Sequence, residues 1–301
     1  MTAITLMDGD PAHDLARSVG TPSDRSTIPM RPYSLLDALM TDQHRLRAVH
    51  DAYIKAGTDI VTMATASLTP TRLFDLGLES RLDDLLATAC EIACNARRDA
   101  PRDVRVAACL GPLIADRRRV EGPISTLIGV YEYLLHMMAS DADLILCVGR
   151  ASAREAEAAV LAGAMTGRPV WLSLAVDENR PATLAGGETL TEAIAAVEGL
   201  PVEVILLQGD GLLQGEGGDR LASMLPYLAP LTDKRVGCRV GPDGKGPEGF
   251  VPGSAVPIDA FGYWVEDWLD AGAAVIGGGS GIQPAHTAHA RSLIDLRPGM
   301  I

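Results

Sequence analysis

Eight short runs of β-branched and apolar residues recur along the chain, each followed by a longer segment with helical spacing. This alternation is typical of parallel strands joined by crossover helices. Eight such units close a barrel, whereas an open doubly wound sheet uses about five or six strands and a glycine fingerprint that does not follow the first run here. We therefore expect an α/β fold, one single-domain (β/α)8 TIM barrel over residues 1–301. The predicted strands are Ile4–Asp8, Asp59–Thr65, Val104–Leu110, Asp143–Val148, Pro169–Ala175, Val202–Gln208, Arg235–Val240 and Ala273–Gly277.

The composition narrows the classes of partner. A formal net charge of -13 opposes nucleic-acid binding, because phosphate neutralisation needs clustered Lys and Arg. No apolar run of about 18 residues is present, and residues 1–9 do not resemble a signal peptide. We expect a soluble, cytoplasmic protein that binds a small molecule, with no membrane partner and with a homodimer left open. Five cysteines are expected to be reduced and mostly buried: Cys90, Cys94, Cys109, Cys147 and Cys238.

The C-terminal ends of the predicted strands carry the candidate site, because barrel enzymes place their chemistry there. Arginine pairs with carboxylates and aspartate accepts an ammonium group, so the mixture favours an amino-acid-like ligand. Asp8 and Asp210 are the candidates for proton transfer. The alternative is that Arg150 and Arg239 pair with Asp177 or Asp210 around the rim. The predicted binding residues are Asp10, Thr65, Arg150, Ser173, Gln208, Arg239, Gly278, Gly279 and Ser280.

Other segments could also face the mouth of the barrel. The glycine run Gly277–Gly281 precedes the last predicted helix, and backbone N–H groups exposed there would suit a phosphate. The stretch Thr21–Tyr33 and the loop Gly241–Pro257 both lie near predicted strand ends. His50, in the helix before the second strand, is more typical of a packed core histidine than of a catalytic one.

Five strings resemble motifs of the homocysteine S-methyltransferases, in the same order over nearly the whole chain. Such an ordered set supports both the fold and a common ancestry. The strings are Leu6–Gly9, His50–Ile60, Leu110–Pro112, Pro169–Ser173, and Ala271–Gly278 followed by Gly281, Pro284 and His286.

This resemblance implies a zinc ion held by three cysteine thiolates, which binds homocysteine and lowers its thiol pKa so that the thiolate attacks a methyl donor. The cysteines of that motif align with Gly209, Gly279 and Ser280. Glycine offers no ligand, and a lone serine hydroxyl is a poor zinc donor. We therefore expect neither this metal nor another cofactor.

Further departures affect the substrate pocket that the resemblance implies. Val148 stands where the family has a glutamate that contacts the amino acid, and Ala64 and Ala66 replace the residues on either side of Thr65. Asp8, Thr65 and Ser173 are retained.

Three functions follow as hypotheses. The first is a zinc-independent transferase that acts on a small amino-acid-like, methylated or sulfur-containing compound. The second is a non-catalytic ligand-binding or regulatory relative. The third is a barrel enzyme that binds a phosphorylated metabolite at the glycine run after the eighth strand.

Overall fold

The computed structural model describes residues 3–18, 35–113, 123–177, 179–209, 217–240, 256–279 and 281–297. Eight parallel strands form one sheet within these residues, in the order β1-β8-β7-β6-β5-β4-β3-β2. All eight predicted strands are confirmed, with shifted ends. They are β1 (Thr5–Leu6), β2 (Ile60–Thr62), β3 (Arg105–Leu110), β4 (Leu144–Arg150), β5 (Val170–Val176), β6 (Val202–Gly209), β7 (Arg235–Val240) and β8 (Val275–Gly277).

The first and second strands close the sheet on itself. Met7 forms a parallel bridge with Ile60. The Asp8 amide donates to the Ile60 carbonyl at 3.0 Å, and the Asp59 amide donates to the Leu6 carbonyl at 2.7 Å. The fold is therefore the predicted (β/α)8 barrel.

Helices connect the strands and cover the outside of the barrel. Thr189 begins one of them with a capping box, in which its hydroxyl accepts from the Glu192 amide and the Glu192 carboxylate accepts from the Thr189 amide. Another helix ends at Gly57, which has the left-handed φ of 102° that favours glycine. The helices are α1 (Pro11–Ser18), α2 (Leu35–Thr41), α3 (Gln43–Ala56), α4 (Pro70–Asp75), α5 (Leu82–Arg98), α6 (Ile124–Met138), α7 (Ala153–Ala164), α8 (Leu190–Val197), α9 (Gly217–Leu228), α10 (Ile258–Asp270) and α11 (Pro284–Asp295).

Two groups of buried apolar side chains follow from the alternation of side chains along each strand. The larger group lies between the sheet and the helices and includes Leu172, Leu207 and Cys238. The smaller group fills the barrel interior. It comprises Met7, Ile60, Ala107, Cys109, Leu144, Leu146, Val148, Trp171, Val204, Leu206 and Val275.

Several segments named in the sequence analysis lie outside the described residues. They are residues 21–33, residues 241–255 of the loop after β7, Asp210 and Ser280. Among the helices that the structure describes, none is both long enough and apolar enough to cross a membrane.

Candidate functional site

A hydrogen-bonded polar network joins the C-terminal ends of four neighbouring strands. Ser173 donates its hydroxyl to Oε1 of Gln208 at 2.9 Å, and Nη1 of Arg239 donates to the same oxygen at 3.0 Å. Nη2 of Arg239 donates to the Gly278 carbonyl at 3.2 Å. Ser173, Gln208 and Arg239 are all buried. Four of the predicted binding residues therefore meet at one place, at the mouth of the barrel.

Strand alternation explains why Arg239 points to the barrel interior. Its neighbour Cys238 packs in the outer apolar group. A Cβ atom added at Gly277 would lie 2.7 Å from the Cβ of Arg239 and 3.5 Å from the Sδ of Met7, an interior side chain. Glycine at position 277 therefore provides the space through which the Arg239 side chain passes.

Asp8 lies beside this network and carries an unsatisfied oxygen. Its Oδ2 accepts from the Thr62 amide at 2.8 Å, whereas its buried Oδ1 has no hydrogen-bond partner among the described residues. Burial raises the pKa of the Asp8 carboxyl well above its usual range, although the Thr62 hydrogen bonds and the Arg239 charge oppose that shift. No ion pair joins Asp8 to Arg239 in the described structure. The carboxyl can therefore donate a proton to a ligand, or ionise when it meets a cationic one.

The side chains of two other predicted binding residues form hydrogen bonds with the protein's own backbone. The Thr65 hydroxyl donates to the Cys109 carbonyl at 2.7 Å, which ties the end of β2 to β3. Oδ1 of Asp10 accepts from the Ala12 amide at 3.0 Å, at the beginning of α1. Both residues lie at the barrel mouth, where these bonds fix the backbone around Asp8.

The predicted binding residue Arg150 has a different position. Its Nη1 donates to the Tyr131 hydroxyl at 2.6 Å and lies 3.3 Å from Oε1 of Glu155, and its Nη2 donates to the Leu110 carbonyl at 2.7 Å. Tyr131 belongs to α6 and Glu155 to α7, so the guanidinium lies against the helices. It is fully buried. This position favours a structural role for Arg150 over the predicted contact with a ligand.

A bulge in β4 accounts for the direction of Arg150. Three residue steps from Cys147 to Arg150 face two steps from Leu172 to Leu174 on β5. Gly149 lies within this bulge, and its φ of 70° is a conformation that glycine adopts at little cost. Simple alternation would place Arg150 on the same side as the interior Val148. The bulge turns it outward instead.

Cys109, which was expected only to be reduced and buried, is the cysteine whose side chain faces the barrel interior. It packs in the interior group with Val148 and Ala66. Burial raises the pKa of the Cys109 thiol to about 12, with a smaller opposing effect from Arg239. Cys147 and Cys238 point outward, into the layer between sheet and helices. All five cysteines are free thiols.

The glycine run after β8 is bound to the chain itself. The Gly278 amide donates to the Asp8 carbonyl at 3.0 Å, and the Gly279 carbonyl accepts from the Ile282 amide at 3.1 Å. At the start of α11, the Gln283 amide donates to Nδ1 of His286 at 3.0 Å, and the Gln283 side chain accepts from the His286 amide. These bonds use backbone N–H groups that a phosphate would need.

The donor atoms around this site do not fit the zinc ion that the resemblance implies. Glycine at positions 209 and 279 supplies no side chain, and the Arg239 guanidinium lies between these strand ends. Within the described residues, no three His, Cys, Asp or Glu side chains lie close enough to hold one metal ion.

A family model described as homocysteine S-methyltransferase matches residues 5–294. The chain belongs to the homocysteine S-methyltransferase family. Among proteins of known function, it is similar to selenocysteine Se-methyltransferase from Brassica oleracea var. italica, with 24% identity over 306 residues. That alignment covers 91% of this chain and 84% of the relative.

Solved structures of a homocysteine methyltransferase, MmuM from Escherichia coli, have the same fold. The metallated form of MmuM from Escherichia coli gives a TM-score of 0.75 at 21% identity, covering 97% of this chain and 96% of that one. The apo form of the same enzyme gives a TM-score of 0.71 at 19% identity, with the same coverage. The family membership and the barrel are thus established together.

Proposed function

We propose that this member of the homocysteine S-methyltransferase family acts on a small amino-acid-like, methylated or sulfur-containing compound without the zinc ion. The ligand would lie at the barrel mouth, between Asp8 and Arg239. The observation that carries the proposal is a pair of buried atoms there, Oδ1 of Asp8 and Nε of Arg239, that have no hydrogen-bond partner among the described residues.

The two groups are complementary to the two ends of an amino acid. A guanidinium has five N–H donors, and Arg239 uses one toward Gln208 and one toward Gly278. Its remaining donors can bind a carboxylate. Asp8 can accept an ammonium or sulfonium group, whose positive charge would favour the ionised carboxylate. Ser173 and Gln208 hold the Arg239 guanidinium in place.

Without a metal, an acceptor must already be nucleophilic or must lose a proton to a base. Among the described residues, Asp8 is placed to exchange that proton. Its carboxyl is buried, one of its oxygens has no partner among these residues, and the Arg239 charge favours its ionised form. Asp210 remains a prediction for the same role. The names of the relatives support methyl transfer as the type of reaction, and the substrate pair remains to be found.

The alternative ligand, a phosphorylated metabolite at the strand-eight glycine run, receives less support. Gly278 and Gln283 already donate their amides within the chain. Pro284, the first residue of α11, has no N–H group to offer. A non-catalytic, ligand-binding role uses the same pocket and differs only in whether a product forms.

The first test of this proposal is the zinc content of the purified protein, measured by inductively coupled plasma mass spectrometry. We expect far less than one zinc per chain. Stoichiometric zinc would overturn the proposal. Methyl transfer from S-methylmethionine to homocysteine, followed by mass spectrometry of methionine, is expected to be undetectable for the same reason.

The second test is a thermal-shift comparison of L-methionine, S-methylmethionine, glycine betaine and inorganic phosphate. Binding to the folded state raises the melting temperature with occupancy. We expect an amino acid or betaine to raise it and phosphate to leave it unchanged. Asp8→Asn should abolish the response, whereas Asp75→Asn, at an exposed residue of α4, should preserve it. A response to phosphate alone would favour the glycine-run hypothesis, and a bound amino acid that is never converted would favour the non-catalytic role.

A further inference from the structure

We propose that the Arg239 guanidinium takes the electrostatic place of the family's zinc ion and selects a ligand that presents a carboxylate instead of a thiol. This inference deepens the proposed function and rests on it. It arises because the side chains at the strand ends where the resemblance places the metal are not those that bind zinc.

The guanidinium spans the two strand ends that would carry the metal ligands. Gly209, which aligns with the first cysteine, directly follows Gln208, and Oε1 of Gln208 accepts from Nη1 of Arg239 at 3.0 Å. Gly279, which aligns with the second, directly follows Gly278, whose carbonyl accepts from Nη2 at 3.2 Å. In the strand register, Arg239 is paired with Gln208 on one side and with Gly277 on the other.

The small residues around Arg239 explain why a long cationic side chain fits there. A Cβ atom at Gly277 would lie 2.7 Å from the Arg239 Cβ, closer than carbon atoms can approach without a shift. A Cβ at Gly149 would lie 3.4 Å from Nε2 of Gln208, the residue that holds the guanidinium. Glycine at positions 209 and 279 likewise keeps side chains away from these two strand ends. The arginine and the glycines therefore form one interdependent arrangement.

The charge of Arg239 and a bound zinc ion exclude each other. Arg239 is only 8% exposed, and a second cation a few ångströms from its charge would be strongly repelled in such surroundings. Arginine stays protonated at all physiological pH values.

The two cations also differ in the ligand that they select. Zinc binds a thiolate directly and thereby promotes loss of the thiol proton. A guanidinium forms no such bond, and its planar N–H groups match the two oxygens of a carboxylate. A ligand that is anionic before it binds is therefore favoured over a neutral thiol at this position.

Rebuilding the cysteines with and without Arg239 tests this exclusion. One variant carries Gly209→Cys, Gly279→Cys and Ser280→Cys, and a second adds Arg239→Gln, which removes the charge and keeps a hydrogen-bonding side chain. A third adds Arg235→Gln to the three cysteines as a matched control, because Arg235 lies at the opposite end of β7. Zinc affinity is measured by chelator competition, and cobalt binding by its thiolate absorption bands.

We expect the Arg239→Gln variant to bind zinc at least ~100-fold more tightly than the three-cysteine variant, because it lacks the repelling charge. The Arg235→Gln control should resemble the three-cysteine variant. If removing Arg239 gives no gain in zinc affinity, including the case in which neither protein binds zinc, the inference is overturned. Stoichiometric zinc in the wild-type protein would instead overturn the proposed function itself.

A second measurement tests the inference even if the cysteine variants do not fold. The single variant Arg239→Gln is compared with the wild-type protein by thermal shift, using L-methionine and L-methioninamide, which lacks the carboxylate. We expect L-methionine to stabilise the wild-type protein more than L-methioninamide does, and Arg239→Gln to remove that preference. An equal response of the two proteins, including no response from either, counts against the inference.

Discussion

The guanidinium of Arg150 lies 3.3 Å from a carboxylate oxygen of Glu155, and neither side chain is more than 3% exposed. The same Glu155 oxygen accepts from the Leu113 amide at 2.8 Å and from the Tyr131 hydroxyl at 2.6 Å. The Arg150 guanidinium also lies 4.8 Å from the centre of the Tyr131 ring. This cluster connects the ends of β3 and β4 to α6 and α7, and its three side chains are buried.

Arg150→Met is expected to lower the free energy of unfolding by about 3 kcal/mol, because it leaves the Glu155 charge buried without its cation. Equilibrium unfolding in urea measures the change. Adding Glu155→Gln should recover part of the loss, so a double variant that loses the full sum of the two single changes would contradict the coupling. Arg180→Met is the control, since the exposed Arg180–Asp177 pair should contribute less than about 1 kcal/mol.

Asp8→Asn is expected to stabilise the protein at pH 7. The folded-state pKa of Asp8 is raised by burial, so the folded protein holds a proton that the unfolded chain releases above pH ~4. That contribution to stability is present at low pH and is lost as the pH rises, and the asparagine variant avoids the loss. Urea unfolding between pH 4 and pH 7 should show the two proteins converging at the acidic end. An asparagine variant less stable than wild type at pH 7 would contradict this account.

His50 should make stability fall in mild acid. Both of its ring nitrogens are buried and lack a hydrogen-bond partner among the described residues, and burial lowers its pKa to about 4, aided by the Arg47 charge. In the unfolded chain His50 therefore binds a proton near pH ~6.5, whereas in the folded protein it does not. Stability present above that pH is lost as the pH falls toward 4, by roughly 3 kcal/mol in total.

Urea unfolding at several pH values between 4 and 7 measures the slope that His50 contributes. His50→Gln should flatten it. Equal slopes in the two proteins would show that His50 is not the titrating group.

Gly111→Ala is expected to cost about 3 kcal/mol by overpacking. An added Cβ would overlap the carbonyl oxygen of Ala66, which is backbone and cannot rotate away. Gly129→Ala is the opposite case, because Gly129 is exposed within α6 and an added Cβ meets no atom within 4 Å. That change should gain about 1 kcal/mol of helix stability. Thermal unfolding of both variants checks the pair, and similar melting temperatures would contradict the prediction.

The barrel could be predicted from the sequence because each strand is an apolar run bounded by polar or glycine residues. The strand ends then follow, and with them the meeting of Ser173, Gln208 and Arg239, since equivalent positions on neighbouring parallel strands lie side by side. The strand-end pattern did not determine which side chains would find partners within the chain. The side chains of Thr65 and Asp10 bond to the backbone of other residues, whereas Oδ1 of Asp8 has no hydrogen-bond partner in the part of the chain that the structure describes.

Two features of the site escaped prediction for physical reasons. Strands buried on both faces carry apolar residues at every position, so the pattern around Cys109 does not reveal which side faces the interior. Arg150 was predicted to face the mouth because it lies at a strand end, and the bulge at Gly149 turns its side chain outward instead. The available signal was the glycine directly after the predicted strand Asp143–Val148, because a glycine in a strand often marks a bulge.

The bulge at Gly149 separates two kinds of position that are adjacent in the chain. Val148 lines the interior below the mouth, whereas Arg150 belongs to the outer hydrogen-bonded cluster. A substitution at position 148 can therefore change the side chains of the barrel interior without touching the residues that fasten α6 and α7 to the barrel. At this strand, the interior can be redesigned separately from the contacts that hold the outer helices.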